Sequence, residues 1–318
     1  MTEESKFTLK PYENEKWFLN HILPRYLDNT ATRSKYPTFT LLTGQPGAGK
    51  TTISHKYASI QDEASIVFGA DDLRVLHPRA REILEYDEAN FALHTKKDVA
   101  IWRQRLVQEA IKNKRNVLVE SILTKSTDWD LDTFRAARSA KYRVECVALG
   151  VHHFFSTLGL FYRYEMEKKE KDFVASPRLL LPHHLSYEIL PQNCANMLIH
   201  KTIDNLKVIN RNLDVFYDSG FIFSEGDVLS AVNKARHSTF QTETIEGVCK
   251  SWNEIFKLMD ARETTPQERE DVVYCAASFL KFSELYFNRQ LSEREQVIIQ
   301  RRKMIMQGHI NDFLFTRV

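Results

Sequence analysis

Phe39-Thr40-Leu41-Leu42-Thr43-Gly44-Gln45-Pro46-Gly47-Ala48-Gly49-Lys50-Thr51-Thr52 is the stretch that decides the fold. Residues 44–51 fit G-x-x-x-x-G-K-[ST], the pattern of a phosphate-binding loop. Glycine lacks a Cβ, so it takes positive φ freely and lets main-chain N–H groups approach phosphate oxygens. Lys50 sets a point charge at the terminal phosphates, and Thr51 offers a hydroxyl to Mg²⁺. The flanks agree with this reading. The apolar run 39–43 predicts a buried strand, and 51–59 predicts a helix. A phosphate would then rest on a helix N-terminus, where the dipole and unpaired N–H groups favour anions. The chain has only 10 glycines, yet three fall in this loop, which argues against a chance turn. Gly44, Gln45, Pro46, Gly47, Ala48, Gly49, Lys50, Thr51 and Thr52 form the expected nucleotide-binding set, with Thr51 as the metal ligand.

Moving downstream, Ser65–Gly69 predicts a second strand, followed at once by Ala70-Asp71-Asp72-Leu73-Arg74. Residues 88–114 carry Phe91, Val99, Trp102, Leu106 and Ala110 at helical intervals. Asn116–Glu120 predicts a third strand, 127–140 a helix, and Tyr142–Gly150 a fourth strand. Strands alternating with helices predict an α/β fold, a parallel sheet flanked by helices. A helix is expected from Phe154 to about Lys169, then an irregular segment to His184, then helix over 185–217 with an interruption at Pro191. Phe221-Ile222-Phe223 reads as an edge strand. Beyond 235 the pattern is helical throughout (245–259, 267–286, 293–306). Upstream, residues 11–28 read as a helix broken at Pro24, packing on the rest of the chain.

With 44 basic and 42 acidic residues the net charge is +2. That balance gives no overall attraction to nucleic acid or to an anionic membrane. No apolar run approaches the ~20 residues needed to span a bilayer, and the charged start Met1–Lys6 lacks a signal peptide's apolar core. Four cysteines without C-x-x-C spacing fit a reducing, cytoplasmic setting, with Cys146 in the core. The pairs His152-His153 and His183-His184 are not expected to hold a metal, because no acid or cysteine cluster completes a site.

Phosphoryl transfer needs a metal shell, cations on the moving group and a proton acceptor. Asp71, the first acid after the second strand, is the expected base, with Asp72 capping the helix that follows. Glu120 ends the third strand, facing the crevice where such sheets bind ligands. Arg163 and Arg178 bracket the irregular segment and are the expected transition-state cations, since the guanidinium fork matches phosphate oxygens.

Together these motifs resemble the zeta toxin family. The resemblance runs from about residue 7 to 225. It rests on the loop 44–52, Asp71-Asp72-Leu73-Arg74 with His77-Pro78, Leu118-Val119-Glu120-Ser121, Leu158-Gly159, Arg163-Tyr164-Glu165 and Leu190-Pro191. It implies a P-loop kinase that uses ATP and Mg²⁺ to phosphorylate the 3′-hydroxyl of UDP-N-acetylglucosamine, blocking peptidoglycan precursor supply. It also implies a small helical antitoxin as partner. Carried over by position, Lys50 would bind phosphates, Asp71 deprotonate the acceptor, Arg163 serve as the first lid arginine and Glu120 touch the sugar. The second lid arginine fits Arg178 only after a small insertion. Gln104 stands where the family has a glutamate, and Ser121-Ile122 replaces a Gly-Thr, with Thr124 a substitute. Arg74 completes the expected acceptor side. The same chemistry on another acceptor (a nucleoside, a dinucleotide or an antibiotic) and a non-catalytic nucleotide-binding module are the alternatives. The expected units are an N-terminal helical segment (1–36), a kinase domain (37–235) and a C-terminal helical region (236–318).

Overall fold

The computed structural model describes residues 5–27, 33–123, 128–170, 180–220, 224–242, 245–262, 264–286 and scattered positions between 297 and 309. Thr124, Arg178 and the edge strand expected at 221–223 lie outside the described residues. So does most of the helix expected over 293–306.

Six strands form one sheet: β1 (Thr38–Thr43), β2 (Ser65–Gly69), β3 (Asn116–Ser121), β4 (Arg143–Leu149), β5 (Asn205–Ile209) and β6 (Val215–Asp218). Their order is β2-β3-β1-β4-β5-β6. The first five are parallel, and β6 closes the edge antiparallel to β5. Side chains alternate between faces along a strand, so each strand feeds two cores. Phe39 and Leu41, Phe68, Val117 and Val119, Cys146 and Val208 join Trp102, Leu106, Phe134, Leu190 and Val232 on one face. Leu42, Leu118, Val147, Leu149 and Ile209 join Ile53, Phe155, Phe161, Trp252, Phe256 and Phe279 on the other. A sheet buried on both faces is what parallel strands require. Cys146 is fully buried, as its strand position predicts.

The C-terminal helices are part of this second core. Ile245–Ala261 and Pro266–Tyr286 pack on the same apolar surface as the helix after the phosphate loop. Helix Glu225–Thr242 runs through the boundary expected at 235/236. A half-buried ion pair adds to the seam: Arg262 donates to both oxygens of the buried Glu165 (2.8 and 3.0 Å) and to Glu268 (2.9 Å). These carboxylates hold the guanidinium firmly protonated against the pull of burial. Removing Arg262 would leave the buried Glu165 carboxylate without its partner, which destabilises the fold.

At the N-terminus, helix Pro11–Trp17 continues through a π turn (Phe18–Ile22) into Leu23–Tyr26. The wider turn absorbs Pro24, which has no N–H to give and would crowd an ordinary turn. Phe18 and Ile22 are buried in the first core, and Trp17 Nε1 donates to the Leu76 carbonyl at 2.9 Å.

One stretch differs from expectation. The helix read over 185–217 stops at Ile199, starts earlier at Leu180, and passes through Pro191 without a break. Residues 205–218 are two strands. The stop is hidden because Lys201, not glycine, takes the left-handed conformation (φ 52°). Thr202 N–H then bonds the Met197 carbonyl and Lys201 N–H bonds that of Leu198, the pattern that ends helices at a glycine elsewhere. Lys114 and Lys141 do the same ahead of β3 and β4.

Candidate active site

All the segments that carry the site leave the C-terminal ends of the parallel strands, where ligands bind in such sheets. The loop 44–49 joins β1 to helix Lys50–Ser59. Gly47 and Gly49 have φ of +73° and +90°. At Gly47 glycine is required twice over: a Cβ there would lie 1.9 Å from the Ser156 carbonyl oxygen. Helix His153–Lys169 can come that close because it offers Gly159, whose own Cβ would sit 2.6 Å from the Gly47 oxygen.

Gln45 and Ala48 face inward and are fully buried. Gln45 Nε2 donates to the Val151 carbonyl (2.7 Å) and to Ser156 Oγ (3.1 Å). The buried His183 ring meets the same hydroxyl at 2.8 Å through Nε2. If Nε2 carries the proton, Ser156 Oγ accepts from both Gln45 and His183 and still donates to the His153 carbonyl at 3.1 Å. Burial holds His183 at about 3, so the ring is neutral at neutral pH. Gln45 thus bolts the loop to the protein instead of facing the nucleotide.

A cavity of ≈ 560 Å³ opens over the loop. Its walls include Gly49, Lys50, Thr51, Asp71, Arg74, Arg103, Glu120, Arg163 and Arg211. Lys50 Nζ donates to the loop's own Gly44 and Gln45 carbonyls (2.9 and 3.1 Å). Enclosure by the cavity walls lowers its pKa to about 8, against the upward pull of Glu120 and Asp71. A polyphosphate would give this ammonium the anionic partner that carbonyls are not. The cradle, the lysine and the helix N-terminus therefore fit a nucleotide tail.

Asp71 faces Arg74 in an ion pair and lies within the fields of Arg163 and Lys50. The cavity walls raise its pKa, but these three cations outweigh them and the net shift is downward. The carboxylate is therefore ionised at neutral pH and able to accept a proton. Asp72 takes the other role: its Oδ2 accepts the Gly69 N–H at 2.7 Å. Burial, then Glu120, raises it to about 6. Arg163 lines the cavity with a loose 3.8 Å pairing to Glu167.

Glu120 accepts from Thr51 Oγ1 (3.0 Å) and Ser54 Oγ (2.7 Å). This ties it to the donor side, next to the hydroxyl expected to hold the metal. Thr51 and Glu120 are hard oxygen donors, which fits Mg²⁺, an ion that leans on one or two carboxylates plus substrate phosphates. Among the described residues, no group of three or more His, Cys, Asp or Glu side chains could hold a metal by itself. The His152 and His153 rings lie 4.3 Å apart at a helix start, and burial lowers both, to about 3 and about 4.

The acceptor side departs most from expectation. Gln104 is exposed and does not line the cavity; its neighbour Arg103 does, with Phe91, Ala92, Ser121 and Ile122. Arg211 was missed altogether. Its Nε donates to the Ala48 carbonyl (3.0 Å) and its Nη2 to that of Gly47 (3.2 Å). The signal was the run Asn210-Arg211-Asn212-Leu213-Asp214, whose Asn and Asp residues mark a turn between two short apolar runs.

A parallel sheet with a phosphate loop after its central strand, covered by helices and overhung by arginines, defines a P-loop kinase-type fold. Comparison with known proteins narrows this class. The zeta toxin family model matches residues 24–221. Toxin zeta of Streptococcus pyogenes is 24% identical over 215 residues, 67% of this chain and 72% of that protein. Toxin PezT of Streptococcus pneumoniae is 25% identical over 240 residues, 73% of this chain and 92% of that protein. A solved chain from the PezAT chromosomal toxin–antitoxin system of S. pneumoniae shares the fold, with a TM-score of 0.62 at 19% identity, over 81% of this chain and 99% of that one. The chain belongs to the zeta toxin family, whose members are phosphotransferases. Among the described residues no helix is long and apolar enough to cross a membrane.

Proposed function

We propose that this chain transfers the γ-phosphoryl group of ATP to the 3′-hydroxyl of UDP-N-acetylglucosamine, and so acts as a toxin against peptidoglycan precursor synthesis. The observation that carries the reading is one cavity lined by Lys50, Asp71 and Arg163 above the phosphate loop. Lys50 and the loop N–H groups hold the donor phosphates. Mg²⁺, when bound beside Thr51 and Glu120, supplies charge neutralisation on those phosphates. The bond from the γ-phosphorus to the ADP oxygen breaks and a bond to the acceptor oxygen forms. Asp71 takes the acceptor's proton, and Arg163 stabilises the equatorial oxygens. The ionised state of Asp71 suits this, because a loose transition state needs a positioned proton acceptor more than a strong base. Arg178 is proposed as the second cation, and Arg74 and Thr124 as acceptor-side groups. A small helical antitoxin is the proposed partner, in line with the toxin–antitoxin system to which the matched S. pneumoniae structure belongs.

A second reading keeps the chemistry and changes the acceptor to a nucleoside, a dinucleotide or an antibiotic. Arg103, Ser121 and Ile122 on the cavity wall motivate that reading. Incubation with ATP and UDP-N-acetylglucosamine decides between them. The expected product gains one phosphoryl group at the 3′-oxygen. Asp71→Asn should slow its formation by about 10²–10⁴-fold while ADP still binds. No product from the sugar nucleotide, with another species in a metabolite extract gaining phosphate, selects the second reading.

A further inference from the structure

The turn between β5 and β6 is built around Asn210, a buried side chain with its hydrogen-bonding capacity fully used. Oδ1 accepts the N–H groups of Asn212 (2.9 Å) and Asp214 (3.0 Å). Nδ2 donates to Asp214 Oδ2 (2.8 Å) and to Ser238 Oγ (3.1 Å) on helix Glu225–Thr242. Leu213 takes a φ of +68° to close the turn. This frame aims Arg211 at the phosphate loop, where its fork spans the carbonyls of Ala48 and Gly47 and reaches that of Phe155 at 3.4 Å.

In a trans peptide the carbonyl and the N–H of the same plane point in opposite directions. With the Ala48 carbonyl drawn to Arg211, the Gly49 N–H points the other way. Ala48 sits between two left-handed glycines, the residues least able to hold a peptide plane by themselves. An external clamp supplies what the loop's composition lacks. We propose that Arg211 is a positioning residue for the nucleotide phosphates. It fixes the Gly47 and Ala48 peptide planes of the loop, and Asn210, itself anchored by Ser238 on helix Glu225–Thr242, holds it there. The inference rests on the reading that this loop binds a nucleotide.

The test is ADP and ATP binding by calorimetry on the full chain, beside steady-state kinetics. Charged hydrogen bonds of this kind predict that Arg211→Ala weakens ADP by about tenfold or more. KM for ATP should rise by a similar factor, while kcat at saturating ATP and KM for the acceptor stay within about threefold. Arg211→Lys keeps the charge but loses the planar fork, so it should recover only part of the affinity. Asn210→Ala should move ADP binding in the same direction by less, and should add little in an Arg211→Ala background. Arg138→Ala, which removes a surface pair with Asp204, should leave nucleotide binding unchanged. Wild-type ADP affinity in Arg211→Ala would overturn the inference, as would full recovery by Arg211→Lys, which would reduce the residue to a charge. A wild-type chain that binds neither ADP nor ATP would instead remove the functional reading beneath it.

Discussion

The donor and acceptor halves of the cavity are built differently. On the donor side, geometry is fixed by main-chain requirements: two positive-φ glycines, a glycine-to-glycine helix contact, and Gln45, Ser156 and His183 bonded in series. Side chains there brace a backbone that does the binding. Among the described residues, the proposed acceptor side has no such backbone device. On the proposed reading, recognition there falls to side chains of the cavity wall, Arg103, Arg74 and Ile122. A phosphate loop is therefore readable as a motif, whereas an acceptor pocket is readable only residue by residue.

Four experiments would break or sharpen this contrast. The largest effect is expected from Arg163→Ala, which on the proposed reading removes a cation from the transferring group and should cost about 10³-fold in kcat or more. A near-normal rate, measured by coupled ADP release, would move the transition-state charge to other cations. Next comes acid stability. Burial holds His152 and His183 at about 3 in the folded chain, far below the usual histidine value. Unfolding frees these rings to take up protons, so their contribution is complete above the ordinary histidine range and is lost as pH falls below it. By pH 5 each should have cost about 2 kcal/mol. Urea melts at pH 7 and pH 5 would read this, and His183→Gln should shrink the difference by its own share, about 2 kcal/mol.

A smaller effect separates two neighbours. Arg103→Ala should raise the acceptor KM by about tenfold and leave that of ATP alone, whereas Gln104→Ala should change neither by more than about twofold. Equal effects would mean that the helix presents a different face to substrate. The smallest is a gain. Lys201→Gly relieves a left-handed lysine and should stabilise the chain by about 1 kcal/mol in thermal or urea melts.

That last substitution also explains what the amino-acid pattern hid. The strands before Leu149 and the loop between β1 and its helix were legible because apolar runs and glycines mark them. β5 and β6 were not, because Lys201 does a glycine's work at the preceding helix end and Asn205–Ile209 is too short to distinguish from helix by period. Arg103 was passed over for Gln104 by a single position. On a helix one residue is about 100° of rotation, enough to turn a side chain from cavity to solvent. Asp71, Asp72 and Glu120 were placed correctly at the strand ends, but the bonds from Thr51 and Ser54 that draw Glu120 to the donor side are long-range and leave no local trace.

The contact between Gly47 and Gly159 carries a lesson for the history of this sequence. Neither position has latitude while the other stays as it is: a methyl group at either one collides with the main chain opposite. The two codons, separated by 111 others, therefore answer to one steric constraint. Drift at one without retreat of the entire helix at the other is a sterile path.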